Sequence, residues 1–306
     1  MMTVAVHCPF SAYQASVYDW VRSTGTIRVA PDAKIGLAAR ANFRGYLPLQ
    51  NRCMELRKLC NHPALNYPAE KGGDWRDGAA LVRACGKLWV LDRLLLKLRR
   101  AGHRVLLFST MTKLLDLLEV YLKWRRDATA GGSGLEWCRI DGSTALDDRE
   151  TAITEFNASG SNKFLFLLSI RAAGRGLNLQ SADTVVVYDP DPNPKNEEQA
   201  VARSHRIGQK REVRCIHLEA VVDVAGAGRD ENGVGRAGDV DDAPSNPPGA
   251  ERPSFSLDDR TWGTGGAREY AESVESVVRN VIQQQKIEMA DEVINAGRFD
   301  QRTTHA

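Results

Sequence analysis

The stretch "KFLFLLSIRAAGRGLNLQSADTVVVYD", residues 163–189, holds two almost unbroken apolar runs on either side of a glycine-bearing turn. A strand with one wet face alternates apolar and polar residues. Runs that are apolar at nearly every position, as in "KFLFLLS" (163–169) and "TVVVYD" (184–189), belong to strands buried on both faces of a parallel sheet. Outward from this stretch the same grammar repeats. "RVLLFS" (104–109), "WCRID" (137–141) and "VRCIHLEAVV" (213–222) read as further strands. "GKLWVLDRLLLKLRR" (86–100), "KLLDLLEVYLKW" (113–124) and "LDDRETAITEFN" (146–157) have helical spacing, the last with acids in its first turn. Strand alternating with helix predicts an α/β fold, a parallel sheet flanked by helices, with ligands at the carboxyl ends of the strands.

The 306 residues, 42% of them hydrophobic, suffice for one sizeable core. The formal charge of +2 gives no whole-chain argument for nucleic acid, so any basic surface is local. Six scattered cysteines without a C-x-x-C pair suit free thiols in a reducing compartment. Cys60 and His62 form a C-x-H pair that lacks the second ligand pair of a structural zinc site, and no metal site is expected. No signal peptide and no apolar run near the ~20 residues of a membrane span are present, so a soluble, intracellular protein with no membrane partner is expected.

Three constellations carry possible chemistry. In "QAVARSHRIGQKREV" (199–213), Gln199, Arg203 and Arg206 fall within roughly 60° of one another on a helix. Asn193 is its expected cap, Pro194 its first residue and Gly208 its stop. Such a face suits a phosphate clamp. The simpler reading on spacing alone is a solvated basic face paired with Glu197 and Glu198. Gly174 and Gly176 follow an apolar strand and would let backbone N–H groups approach phosphate, or they are simply tight-turn glycines. They form neither a G-x-x-x-x-G-K-[ST] loop nor a dinucleotide fingerprint. In "RIDGSTALDDRE" (139–150), Ser143 and Thr144 are suited to a phosphate backbone and equally to capping the following helix. His62 reads as structural.

Taken in order, "LRKLCNHP", "RVLLFSTM", "RIDGST", "LLSIRAAGRGLNLQSADTVVVYDPDPNP" and "QAVARSHRIGQKREV" resemble the second RecA-like lobe of superfamily-two motors, the Swi/Snf remodeller subgroup in particular. "LLSIRAAGRGLNL" and the final "IEMADEVINAGRFDQRTTH" are similar to Brahma-type ATPases of plants and green algae. The resemblance implies a chromatin-remodelling, DNA-dependent ATPase in the nucleus, acting on double-stranded DNA and nucleosomes with complex subunits. It implies that Arg203 and Arg206 are arginine fingers reaching a nucleotide on the first RecA-like lobe. Gln199, Gly174, Gly176 and Asn178 would lie towards that nucleotide. Ser109, Thr110, Gly142, Ser143, Ser169 and Arg171 would lie towards the DNA backbone. A DNA-repair or RNA-unwinding motor, or a non-catalytic DNA- or partner-binding fragment, are the alternatives.

The chain has no Walker A lysine and no strand-terminal D-E-x-H pair; Asp291–Glu292 sits in a helical pattern. ATP and Mg2+ are therefore expected mainly on the missing lobe, the chain alone is expected to be inactive, and a partial gene product or an incomplete gene model is expected. Arg175 replaces the smaller or apolar residue of many relatives. Residues 1–15 read as the end of the first lobe, 16–85 as a mostly helical linking segment, and 86–223 as the RecA-like lobe. Residues 224–266 read as a disordered insertion. Residues 267–306 read as a post-lobe helix whose Tyr270, Val274, Val277, Val278 and Val281 make an apolar stripe that packs on the domain or a partner.

Overall fold

Alternate residues of one strand enter different cores. In β4 (Val105–Ser109), Val105 and Leu107 join one buried cluster, and Leu106 and Phe108 join the cluster on the other side of the sheet. β6 (Lys163–Ser169) and β7 (Thr184–Val187) divide the same way: Leu167 and Val186 face the first cluster, Phe166 and Val185 the second. Burial on both faces explains why these strands are apolar throughout. The computed structural model describes residues 2–28, 46–66, 77–128, 135–173, 177–203, 211–223, 270–271 and 273–289.

The elements not yet given are β1 (Met2–Pro9), α1 (Ala12–Thr24), β2 (Thr26–Arg28), β3 (Tyr46–Pro48) and α2 (Arg52–Asn61). A 3-10 turn (Pro63–Leu65), α3 (Gly78–Ala84), α4 (Gly86–Arg100), α5 (Thr112–Asp127), β5 (Glu136–Ile140) and α6 (Leu146–Asn157) follow. Then come α7 (Ile170–Ala173), α8 (Pro194–Val201), β8 (Arg214–Asp223), β9 (Tyr270–Ala271) and α9 (Val274–Val277). α9 continues as a π-helix (Val278–Gln283) and as helix to residue 289. The sheet order is β1-β8-β7-β4-β6-β5, all parallel, with β9 antiparallel to β8. Helices α4 and α5 cover one face, and α6, α7 and α8 the other.

Three outer segments dock on the lobe. Residues 2–9 do not stand apart from the lobe: β1 pairs with β8 from Met2↔Arg214 to Pro9↔Val221, as the edge strand of the same sheet. Its neighbour α1, opened by a Ser11–Gln14 capping box, packs with α2 against Ala220 of β8. The segment after it is mostly helical, as expected, and also contains the antiparallel pair β2–β3, while α3 presses Gly78 on Trp124 of α5.

The third carries the C-terminal stripe. Val278 is buried and Val274 packs on the α1–α2 cluster, but Val277 and Val281 are exposed and Tyr270 lies in β9. The helix docks chiefly through buried polar residues, Glu275, Ser276 and Gln283. The expectations for 224–266 and for residues 290–306 lie outside the described residues.

Candidate functional site

Several of the stretches singled out in the sequence meet at the carboxyl edge of the sheet. β4 ends at Ser109, β6 ends at Ser169, and Asp189 lies just beyond β7. Asp189 is fully buried and ties three elements together. The Ser109 hydroxyl donates to its Oδ1 at 2.6 Å, Thr110 donates through its N–H at 3.1 Å and through its hydroxyl, and Arg57 of α2 approaches at 3.9 Å. Arg57 also donates to the Pro190 carbonyl at 2.7 Å. Sequence reasoning missed Asp189; the available signal was an acid directly after a fully apolar strand.

Two serines of the expected DNA-backbone set turn inward: Ser109 is fully buried and Ser169 nearly so. Ser169 Oγ accepts the Ala172 N–H at 3.2 Å and closes the first turn of α7. Thr110 is half-buried against Asp189, while Arg171 on α7 is exposed.

The turn after β5 is built from its own acid. Ser143 donates to Asp141 Oδ1 from its N–H at 2.8 Å and its hydroxyl at 2.6 Å, and Thr144 Oγ1 accepts the Asp141 N–H at 3.0 Å. Hydrogen bonds from Ser143, with Arg139 second among the groups that lower it, hold the Asp141 carboxyl down at about 2. Ser143 and Thr144 do not cap the next helix: the N-cap of α6 is Ala145, without a side-chain bond. Arg149 takes over the fastening, donating to the carbonyls of Thr144 at 2.8 Å and Asp141 at 2.9 Å. Gly142 and Ser143 are exposed, and a Cβ at Gly142 would meet nothing within 4 Å. The backbone is open to an approaching phosphate there.

Helix α8 starts as expected, with Asn193 accepting the Lys195 N–H at 3.3 Å and Pro194 at the first helical position. It ends earlier than expected. The last turn tightens, with Ala202 N–H on the Glu198 carbonyl and Arg203 N–H on the Ala200 carbonyl, so Arg203 lies in the turn after Val201. The Arg203 carbonyl then accepts the Leu179 N–H at 3.4 Å. That bond joins the segment following the glycine turn to the end of α8, so two stretches the sequence singled out separately are adjacent. Gln199 and Asn178 are exposed, and the Asn178 carbonyl accepts from Asn157 at 2.8 Å. Gly174, Arg175, Gly176, Arg206 and Gly208 lie outside the described residues.

Two acids of the expected basic face, Glu197 and Glu198, have partners of their own. Glu197 is turned inward and accepts from Asp191 N–H and Gln283, and Glu198 pairs with Lys195 at 3.1 Å. Burial pushes the Glu197 carboxyl up. His62 is fully buried, with Nε2 on the Leu81 carbonyl and Nδ1 accepting the Ala64 N–H, both at 3.0 Å. Burial lowers its pKa to about 4. Among the described residues, no group of three or more His, Cys, Asp or Glu side chains is placed to hold a metal ion.

Residues 86–208 match the helicase conserved C-terminal domain. The chain is 56% identical over 310 residues to the ATP-dependent helicase BRM of Arabidopsis thaliana, across 99% of this chain and 13% of that protein. It is 51% identical over 170 residues to the human SWI/SNF-related matrix-associated actin-dependent regulator of chromatin subfamily A member 1, across 56% of this chain and 16% of the relative. Among solved structures, the C-terminal part of the Fun30 ATPase domain superposes with a TM-score of 0.53 at 25% identity, covering 72% of this chain and 84% of that one. The chain spans about an eighth of the length of BRM.

Fold and matched domain together define a helicase C-terminal lobe of RecA-like α/β architecture. Its homologues are SWI/SNF-type chromatin-remodelling ATPases, Brahma-type BRM among them.

Proposed function

We propose that this lobe completes an ATPase centre built mainly by another lobe, and that the complete motor translocates along double-stranded DNA on nucleosomes. The observation that carries the reading is the Leu179–Arg203 backbone bond, which fixes Arg203 beside the segment that leads into β7, with Gln199 exposed one turn before it. Arg203 and Arg206 act as fingers on the phosphates of ATP, and Gln199, Gly174, Gly176 and Asn178 border the nucleotide. Guanidinium forks match phosphate oxygens and offset charge that develops in transfer. Mg2+, when bound, would be held with the nucleotide on the other lobe, and it would offset charge on the phosphates there.

DNA contacts are to phosphate and sugar, through exposed Arg171 and the open backbone at Gly142 and Ser143, with Thr110 shaping the neighbouring turn. Binding of this kind falls steeply with salt and carries no base readout. Nuclear localisation and contacts with remodelling-complex subunits follow from the same reading.

Fingers without a phosphate cradle do not turn over ATP. A steady-state ATPase assay on residues 1–306 with DNA present therefore reads background. Hydrolysis that disappears on Arg203→Ala in this isolated chain would overturn the division of labour between lobes.

A further inference from the structure

The post-lobe helix reaches back to the root of α8. Gln283 is buried, and its amide nitrogen donates to the Asp191 carbonyl at 2.6 Å and to Glu197 Oε1 at 2.8 Å. The same Glu197 oxygen accepts the Asp191 N–H at 2.6 Å. Asp191 Oδ1 in turn accepts the N–H of Asn193, the residue that caps α8, at 2.7 Å. One side chain from residues 278–283 thus closes a ring of hydrogen bonds around the first turn of α8.

A second fastening lies in the same π-helical segment. Arg279 donates to Glu219 Oε2 and to His217 Nδ1, each at 3.3 Å, and His217 Nε2 faces Cys215 Sγ at 3.3 Å. His217 Nδ1 also lies 3.8 Å from Glu197 Oε2. Carboxylates as deeply placed as Glu197 are costly unless hydrogen-bonded, so its orientation depends on these donors. π-Helical turns inside α-helices are frequent at functional sites.

We infer that Gln283, supported by Arg279, is a positioning residue for Arg203: it fixes the start of α8 and so sets where Gln199 and the turn that carries Arg203 stand at its far end. The inference rests on the proposal that Arg203 and Arg206 act on ATP. It gives the post-lobe helix a role in catalysis without touching the nucleotide. Displacing residues 273–289 releases the root of α8 and slows the chemical step, while nucleotide affinity, set on the other lobe, is retained.

Two measurements test it. In residues 1–306, Gln283→Ala speeds amide hydrogen exchange across 194–201 about tenfold or more, the scale of one lost hydrogen bond to a charged group. Exchange in β4 and β6 is unchanged, which separates release of α8 from unfolding. In the complete motor, Gln283→Ala lowers kcat for DNA-stimulated ATP hydrolysis about tenfold and leaves KM for ATP within about twofold. The swapped pair Glu197→Gln with Gln283→Glu, which restores an amide–carboxylate bond, regains part of both losses. Unchanged exchange in 194–201 overturns the inference. So does unchanged kcat in a motor that Arg203→Ala still inactivates. If Arg203→Ala is itself silent, the finger proposal fails first and carries this inference with it.

Discussion

Lys87 and Glu275 stand 188 positions apart in the chain, and their side chains meet at 2.5 Å with both essentially excluded from water. The pair is fully dressed. Lys87 Nζ also donates to the Tyr188 carbonyl at 2.7 Å and to Asn61 Oδ1 at 3.2 Å, and Glu275 Oε2 accepts the Ala220 N–H at 3.2 Å. One ammonium joins α2, α4, the end of β7 and α9, and through Glu275 reaches β8. The post-lobe helix is therefore part of the lobe's interior polar network, although residues 224–273 separate it from β8 in the chain.

Breaking this pair on one side leaves the other charge buried and alone. Lys87→Met is expected to cost about 3–5 kcal/mol in urea unfolding. Adding Glu275→Gln removes the stranded carboxylate and recovers part of that loss. Additive losses in the double variant would show that the two groups do not act as a pair.

A glycine fixes how closely the first strand and the first long lobe helix approach. A Cβ on Gly86 would sit 1.7 Å from the Pro9 carbonyl oxygen, while the Gly86 N–H donates to Gln14 Oε1 at 3.1 Å. Backbone on both sides leaves no flexible group to give way. Gly86→Ala is expected to destabilise by about 2–3 kcal/mol, despite the higher helix propensity of alanine, read as a lowered Tm. A neutral substitution would show that β1 is not held against α4.

Much of this architecture is legible in the residues, for physical reasons. α4 and α6 start and stop where their spacing and first-turn residues predict, and β6 shows its burial because apolar residues occupy nearly every position. β1 reads as the end of another lobe by resemblance alone, because an exposed edge strand carries no mark of the sheet it joins. The ends of α8 were half legible: Asn193 and Pro194 announce its start, whereas its end depends on a tertiary bond from Leu179 to Arg203. The roles of Glu197, Gln283 and Glu275 were illegible, since a buried acid looks like a surface acid until its donors from distant segments are known. The valine repeat pointed to an apolar contact, yet polar groups form most of the docked face.

Two histidines give a pH signature. Burial lowers His62 and His217 to about 4, with Arg279 adding to the effect at His217. The unfolded chain protonates both near about 6.5 and the folded chain does not, so stability falls as pH drops from about 6.5 towards 4. The loss is at most about 1.4 kcal/mol per histidine per pH unit. The raised carboxyls of Glu197 and Glu275 act in the opposite sense, losing stability as pH rises above about 4.5. The histidine ring resonances separate the contributions: both rings remain neutral at pH 5.5. Ordinary titration of either near 6.5 in the folded chain would contradict its burial.

The central claim is that guanidinium groups on this lobe finish a reaction centre begun by another. Single-turnover ATP hydrolysis by the complete DNA-bound motor carrying Arg203→Ala measures it most directly. The expected result is a loss of about 10³-fold or more in rate with ATP binding nearly intact. Hydrolysis at the unsubstituted rate would contradict the account.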